Sequence, residues 1–153
     1  MDVTSEDIPV GVHKDFHLLT GGMIDYLESE FDEAERDAFL SRLAPTVYAP
    51  LLEDVRARGL GAIREHFARV FEAEGGRCRF EEGDGELVLH VERCPAVQHL
   101  KERGQLPTES FCEQTRVVLG ELCRRAGIGF HVDFVTAEAR CVQTFRARGG
   151  ERP

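Results

Sequence analysis

Halfway along the chain the spacing of apolar residues changes from a helical period to a period of two, and that switch limits the fold more than any other feature. Up to Glu74 the apolar positions recur every three or four residues. Phe16, Leu19, Met23, Tyr26 and Leu27 do so, and so do Ile63, Phe67, Val70 and Phe71, which gathers each set on one helical face. Gly75-Gly76 then supplies a helix stop. Beyond it, "RCRFEE" and "ELVLHVE" flank "GDG", strand-like runs around a tight-turn signal that together predict a hairpin. Leu87, Leu89 and Val91 fall on one face of its second strand, Val88 and His90 on the other.

The remaining elements follow from local signals. A helix is expected over 13–31, although Gly21-Gly22 within it costs roughly 1 kcal/mol per glycine. A close approach by a helix or ligand, or a plain kink, would explain that cost. Asp32 and Glu35 have capping-box spacing for a second helix, Glu33 to about Leu43. In the third segment, "TVYAPLLEDVRARG", Pro50 implies a kink or a late start. A fourth helix covers about Gly61–Glu74. After the first hairpin come a short helix at 95–103 and a long one from Thr108 or Ser110 to about Ala126. "GFHVDFV" and "RCVQTFR" then pair across "TAEA", with Phe130, Val132 and Phe134 alternating toward the core. This order predicts an α+β fold: an N-terminal block of four helices packed on an antiparallel sheet of two hairpins, with two further helices between the hairpins. Residues 1–11 read as a flexible lead-in, 12–147 as a single α+β domain and 148–153 as a frayed tail.

At 153 residues the chain is long enough to bury a core. The net charge of −9 argues against nucleic acid, which demands clustered Lys and Arg; Arg124-Arg125 and the basic residues near the end form only small clusters. No apolar run approaches the ~18 residues of a membrane span. The opening "MDVTSEDIPVG" lacks the basic and apolar regions of a secretory signal, so a cytoplasmic protein is expected. Five cysteines, widely spaced and odd in number, do not suggest a disulfide framework. There is no C-x-x-C pair.

The chemistry-bearing candidates are thiols, imidazoles and one carboxylate. Cys94 precedes Pro95, which suits the first helical position, so the thiol sits at or near an N-cap. Backbone amides and the helix dipole there would favour the thiolate; the alternative is a small buried residue closing a strand. Cys112, near the start of the long helix, gains the same help, whereas Cys123, three turns on, reads as core. Glu113 has capping-box spacing to Ser110 and is also a candidate general base. His13 and His17, at i and i+4, project from one helical face, as two imidazoles sharing a metal must; a hydrogen-bonded core histidine is the other role for His17. Cys141 alternates with Gln143 and Phe145, and points into the core if Phe145 does. His99 lies within about a turn of Cys94, and Tyr48 is a further proton donor to consider.

Taken in order, "HKDFH", "VYAPLL", "RCPAVQHLKERG", "FCEQT" and "RCVQTF" make the chain resemble the L-2-amino-thiazoline-4-carboxylic acid hydrolase-like family over about residues 12–146. The second half is more distantly similar to 4-vinyl-reductase-type ligand-binding domains. The first resemblance implies functional cysteines at Cys94, Cys112 and Cys141. It also implies hydrolysis of a cyclic amidine or thiazoline C–N bond. The second implies a helical layer on an antiparallel sheet, with zinc held by cysteines in several such domains; "TAEARC" departs from their glycine-rich approach to the last cysteine.

Three readings therefore stand. The first is a small-molecule hydrolase using Cys94, Cys112, His17 and Glu113, or a divalent metal, zinc or iron, held among Cys94, Cys112, Cys141, His13 and His17. The second is a non-catalytic metal- or ligand-binding sensor domain. The third leaves every thiol in the core and places function on the surface, where polar residues of the sheet's outer face such as His131, Asp133 and Gln143 could pair two copies as a homodimer.

Overall fold

The computed structural model describes residues 10–149, with side chains from Asp15 onward. Four helices come first: α1 (Val10–Glu30), α2 (Glu33–Ser41), α3 (Ala49–Arg58) and α4 (Leu60–Glu74). The hairpin β1 (Arg77–Gly83) and β2 (Glu86–Arg93) follows, then α5 (Pro95–Glu102) and α6 (Glu109–Ala126). The chain closes with β3 (Ile128–Val135), a 3-10 turn at Thr136–Glu138 and β4 (Arg140–Ala147). The fold is the expected α+β arrangement, with the helices α5 and α6 between the two hairpins. Of the expected lead-in, residues 1–9 lie outside the described residues, as do 150–153 of the expected tail. Val10 and Gly11 are helical. No helix among the described residues is long and apolar enough to cross a membrane.

Local signals account for most boundaries. Asp32 caps α2 through the reciprocal box with Glu35: its Oδ1 accepts from the Glu35 amide at 2.8 Å, and Glu35 Oε2 accepts from the Asp32 amide at 3.3 Å. Pro50 lies in the first turn of α3, so it marks a late start and bends nothing. Asp84 and Gly85 both have positive φ, 46° and 76°, the two-residue turn that matches strand twist. Gly21 is buried against α5, where an added Cβ would stand 3.5 Å from the Leu100 side chain. A close helix approach, then, explains that glycine. Of the two starts expected for α6, Thr108 is the N-cap, without a side-chain bond; the expected Ser110–Glu113 capping box fails, and Glu113 pairs with Arg116 one turn on. The carboxylate finds a full charge nearby, a better partner than an amide already within the helix.

The sheet runs β1-β2-β4-β3, antiparallel throughout. Its register stacks the inward side chains into rows. Phe80, Leu89, Gln143 and Val132 form one row; Cys78, Val91, Cys141 and Phe134 form the next. Gln143 is therefore buried beneath the helices and does not belong to the outer face, where sequence reading put it by polarity. The strand period of two outranks polarity once Phe145, fully buried, fixes which face is inside.

Candidate functional site

The buried core divides in two. The larger cluster joins α2, α3, α4, the middle of α6 and the sheet; the smaller gathers Ile24, Val97, Leu100, Phe111 and Ala139, and Cys94 packs against both. Where they part there is a cavity of about 450 Å³. Close-packed interiors leave few voids larger than a water, while small-molecule sites commonly occupy ~300–1,000 Å³. Val91, Cys141, Gln143 and Val132 supply its sheet side; Phe67 and Phe71 of α4 and Val118 of α6 are among its apolar walls. Phe16, Leu19 and Val47 also line it while being 51%, 70% and 58% exposed. The cavity thus reaches the surface between α1 and the turn before α3.

Cys94, Cys112 and Cys141 all line this one cavity. Each is brought there by a different device. Cys94 is the N-cap of α5, its extended backbone (φ −71°, ψ 119°) followed by Pro95, and its amide donates to the Ala139 carbonyl at 2.7 Å. That bond ties the start of α5 to the connection between β3 and β4. Cys141 stands opposite Val91 in the β2–β4 register. Cys112, in the first turn of α6, faces Thr136 on the 3-10 turn.

The thiols are gathered but they are not acidic. Burial is the largest influence on Cys94 and pushes its pKa up; the amides of Val97 and Ala96 pull the other way and lose. Neither amide completes a capping hydrogen bond to the sulfur, which is why the dipole's help stays small. Cys112 is also raised by burial, against the favourable neighbour Thr136. Cys141 is pushed up to about 11 by burial, although Gln143 Nε2 donates to its sulfur at 3.4 Å. Cys123, fully buried outside the cavity lining, reaches about 12 for the same reason. The expectation of helix-start thiolates is corrected: desolvation outweighs the dipole.

A second group adjoins the cavity through Glu74, which lines it. His17 Nε2 and Glu74 Oε2 are 2.8 Å apart, linking α1 to the end of α4. The charge of Glu74 reaches both Cys94 and Tyr48, disfavouring ionisation of each. His66, also in the wall, has its pKa lowered by burial first and Arg69 second. Glu113 is not part of the wall. His99 is buried on α5 outside the wall, its Nε2 without a protein partner. The side chain of His13 lies outside the described residues. Among those described, no three His, Cys, Asp or Glu side chains come together as a metal-ligand set, and His17 is engaged with Glu74. The described donors therefore form no zinc or iron centre of the kind expected from the thiols and imidazoles.

Sequence reading missed Glu74, Thr136 and Gln143. Glu74 stands 57 positions from His17, with no motif to join them. Gln143 did carry a signal, its alternation with Cys141 and Phe145. Compared with family models, with curated proteins and with solved structures, the chain matches none.

Proposed function

We propose that this protein is a binding domain for a small, largely apolar molecule held between the two core clusters. The observation that carries the reading is the cavity of about 450 Å³, with aromatic and aliphatic walls and an exposed apolar mouth at Phe16, Leu19 and Val47. Exposed apolar side chains beside a cavity are what a hydrophobic ligand needs to leave water, and few other roles maintain them. The thiols line the space as neutral, polarisable groups. The test is fluorescence titration with N-phenyl-1-naphthylamine, a neutral probe that brightens in apolar surroundings. Saturable binding to the wild type, weakened about tenfold or more by Thr115→Trp or Val70→Trp in the wall, supports the reading. Absence of saturable binding, or indifference to both variants, overturns it.

A second reading is favoured by one specific observation, the His17–Glu74 pair beside Cys94. In it Cys94 is the nucleophile of a small hydrolase and Glu74 accepts its proton, oriented by His17. The thiazoline-hydrolase resemblance implies a functional Cys94 and the reaction, hydrolysis of a cyclic amidine or thiazoline; the Glu74 base is an addition to it. Turnover of 2-amino-thiazoline-type cyclic amidines that is lost in Cys94→Ser and Glu74→Gln would support it; equal turnover in wild type and both variants would remove it.

A further inference from the structure

The cavity wall contains two buried oxygen atoms with no hydrogen-bond partner, Thr136 Oγ1 and Gln143 Oε1. Their residues are only 3% and 5% exposed. Native proteins leave few such groups unpaired, because each has surrendered its water for nothing. The two belong to the same neighbourhood. Gln143 donates through Nε2 to Cys141, Thr136 faces Cys112, and Cys141 feels both Cys112 and Cys94.

That end of the cavity is lined mainly by uncharged polar groups. Burial keeps its three thiols protonated near neutral pH, and an amide and a hydroxyl complete it. Two charged groups stand in the wall: Glu74, whose charge reaches Cys94 and which is hydrogen-bonded to His17, and Arg140, which pairs with Glu138 at 3.4 Å. An anionic ligand head would find no free cation there among the described residues and would lose its hydration. A hydroxyl would find both things it needs, an acceptor in Gln143 Oε1 and a donor in the Thr136 hydroxyl.

We infer that the ligand is a neutral molecule with an apolar body and a single hydroxyl-type head, recognised by Gln143 and Thr136 at the thiol-lined end of the cavity. This rests on the binding reading above and adds the chemical class to it. An ether of the same shape can accept but cannot donate, so it leaves Gln143 Oε1 unpaired. A carboxylate brings a charge that nothing there balances.

The experiment is calorimetric titration of the full chain at neutral pH with 1-naphthalenemethanol, its methyl ether and 1-naphthoate. The alcohol should bind about tenfold tighter than the ether, the usual reward for satisfying one buried acceptor, and 1-naphthoate should bind weakest. Gln143→Leu should bring the alcohol-to-ether ratio toward one while changing ether affinity less than about threefold, whereas Thr136→Val, which removes a donor that both ligands use, should weaken alcohol and ether alike and leave their ratio near tenfold. Gln143→Met, close to glutamine in size and without the acceptor, carries this arm should Gln143→Leu fail to fold. Equal affinities for alcohol and ether in the wild type, or 1-naphthoate binding tightest, overturn the inference while N-phenyl-1-naphthylamine binding leaves the cavity reading intact. Failure of that probe as well overturns both.

Discussion

Single side chains here owe their behaviour to burial more than to their place in the chain. Cys94 occupies the N-cap that local rules make acidic, yet desolvation raises its pKa. Cys141 and Cys123, with no helix start to help them, rise to about 11 and about 12 from the ordinary 9.0. The direction fixes a pH dependence. Between 9 and about 11 the unfolded chain releases thiol protons that the folded state keeps, so it gains relative to the native state as pH rises. The stabilisation is complete below 9 and is lost as pH climbs through the folded values; Tyr48, also raised by burial, adds to the fall above 10.0. Chemical denaturation at about pH 8 and about pH 10.5 should show stability dropping by roughly 1–2 kcal/mol for each of Cys141 and Cys123. In Cys141→Ala the drop should be shallower. An unchanged slope in that variant would mean that Cys141 titrates at its ordinary value. On the acid side the sign reverses for His66: its lowered pKa makes it hold the neutral form, so stability it contributes is present above 6.5 and lost below.

At the level of elements, the joints between α4, β1 and α5 decide whether the site exists. Gly75 ends α4 in the left-handed region at φ 71°, and Gly76 follows in a space that admits no side chain. A Cβ on Gly76 would lie 2.7 Å from Phe71 Cδ1, 2.8 Å from Pro95 Cδ and 3.1 Å from the Arg93 carbonyl. Gly76→Ala must therefore push α4 and the start of α5 apart, at a cost of about 1–3 kcal/mol, and the wall residues Phe71 and Cys94 move with them. Thermal melting should show the loss, and Gly22→Ala, which meets nothing within 4 Å, should show none of it. Equal melting of Gly76→Ala and wild type would contradict the packing at this joint. The two glycines at 75 and 76 were legible as a stop; that the second is also a contact between three elements was not, since Pro95 is remote in the chain. The same division runs through the site. Asp32, Pro50 and "GDG" announce their elements because capping, ring closure and turn twist are local. The Val91–Cys141 register and the Cys94–Ala139 bond are long-range, so the sequence supplied candidate thiols without the pairing that assembles them. Desolvation is longer-range still, and this is why acidity was misjudged while position was not.

The whole molecule is two apolar clusters that meet imperfectly, with three of its five cysteines on the seam. That distribution separates the thiols into classes that a single reagent can read. Cys94, Cys112 and Cys141 line the cavity; Cys123 is sealed in the main cluster, and Cys78 is half-buried on β1, outside the lining though paired with Val91. A small neutral alkylating agent such as N-ethylmaleimide can reach the cavity set through the mouth by Phe16, Leu19 and Val47. An occupant of the cavity blocks that route and leaves Cys78 untouched. Labelling at about pH 8, where buried thiols are mostly protonated and react slowly, followed by peptide mass spectrometry, should therefore give slow modification of the three cavity cysteines. N-phenyl-1-naphthylamine at saturating concentration should slow those three by about fivefold or more, with Cys78 unchanged and Cys123 unmodified throughout the native state. A bound ligand also raises the unfolding free energy by mass action, about 2.7 kcal/mol at a hundredfold excess over its dissociation constant. Protection by global stabilisation alone would consequently slow Cys123 together with the others, and it would do so only under conditions where unfolding limits the reaction. Selective protection of Cys94, Cys112 and Cys141 is the pattern that occupation of the seam requires. Uniform protection, or none, would detach the thiols from any ligand the protein holds.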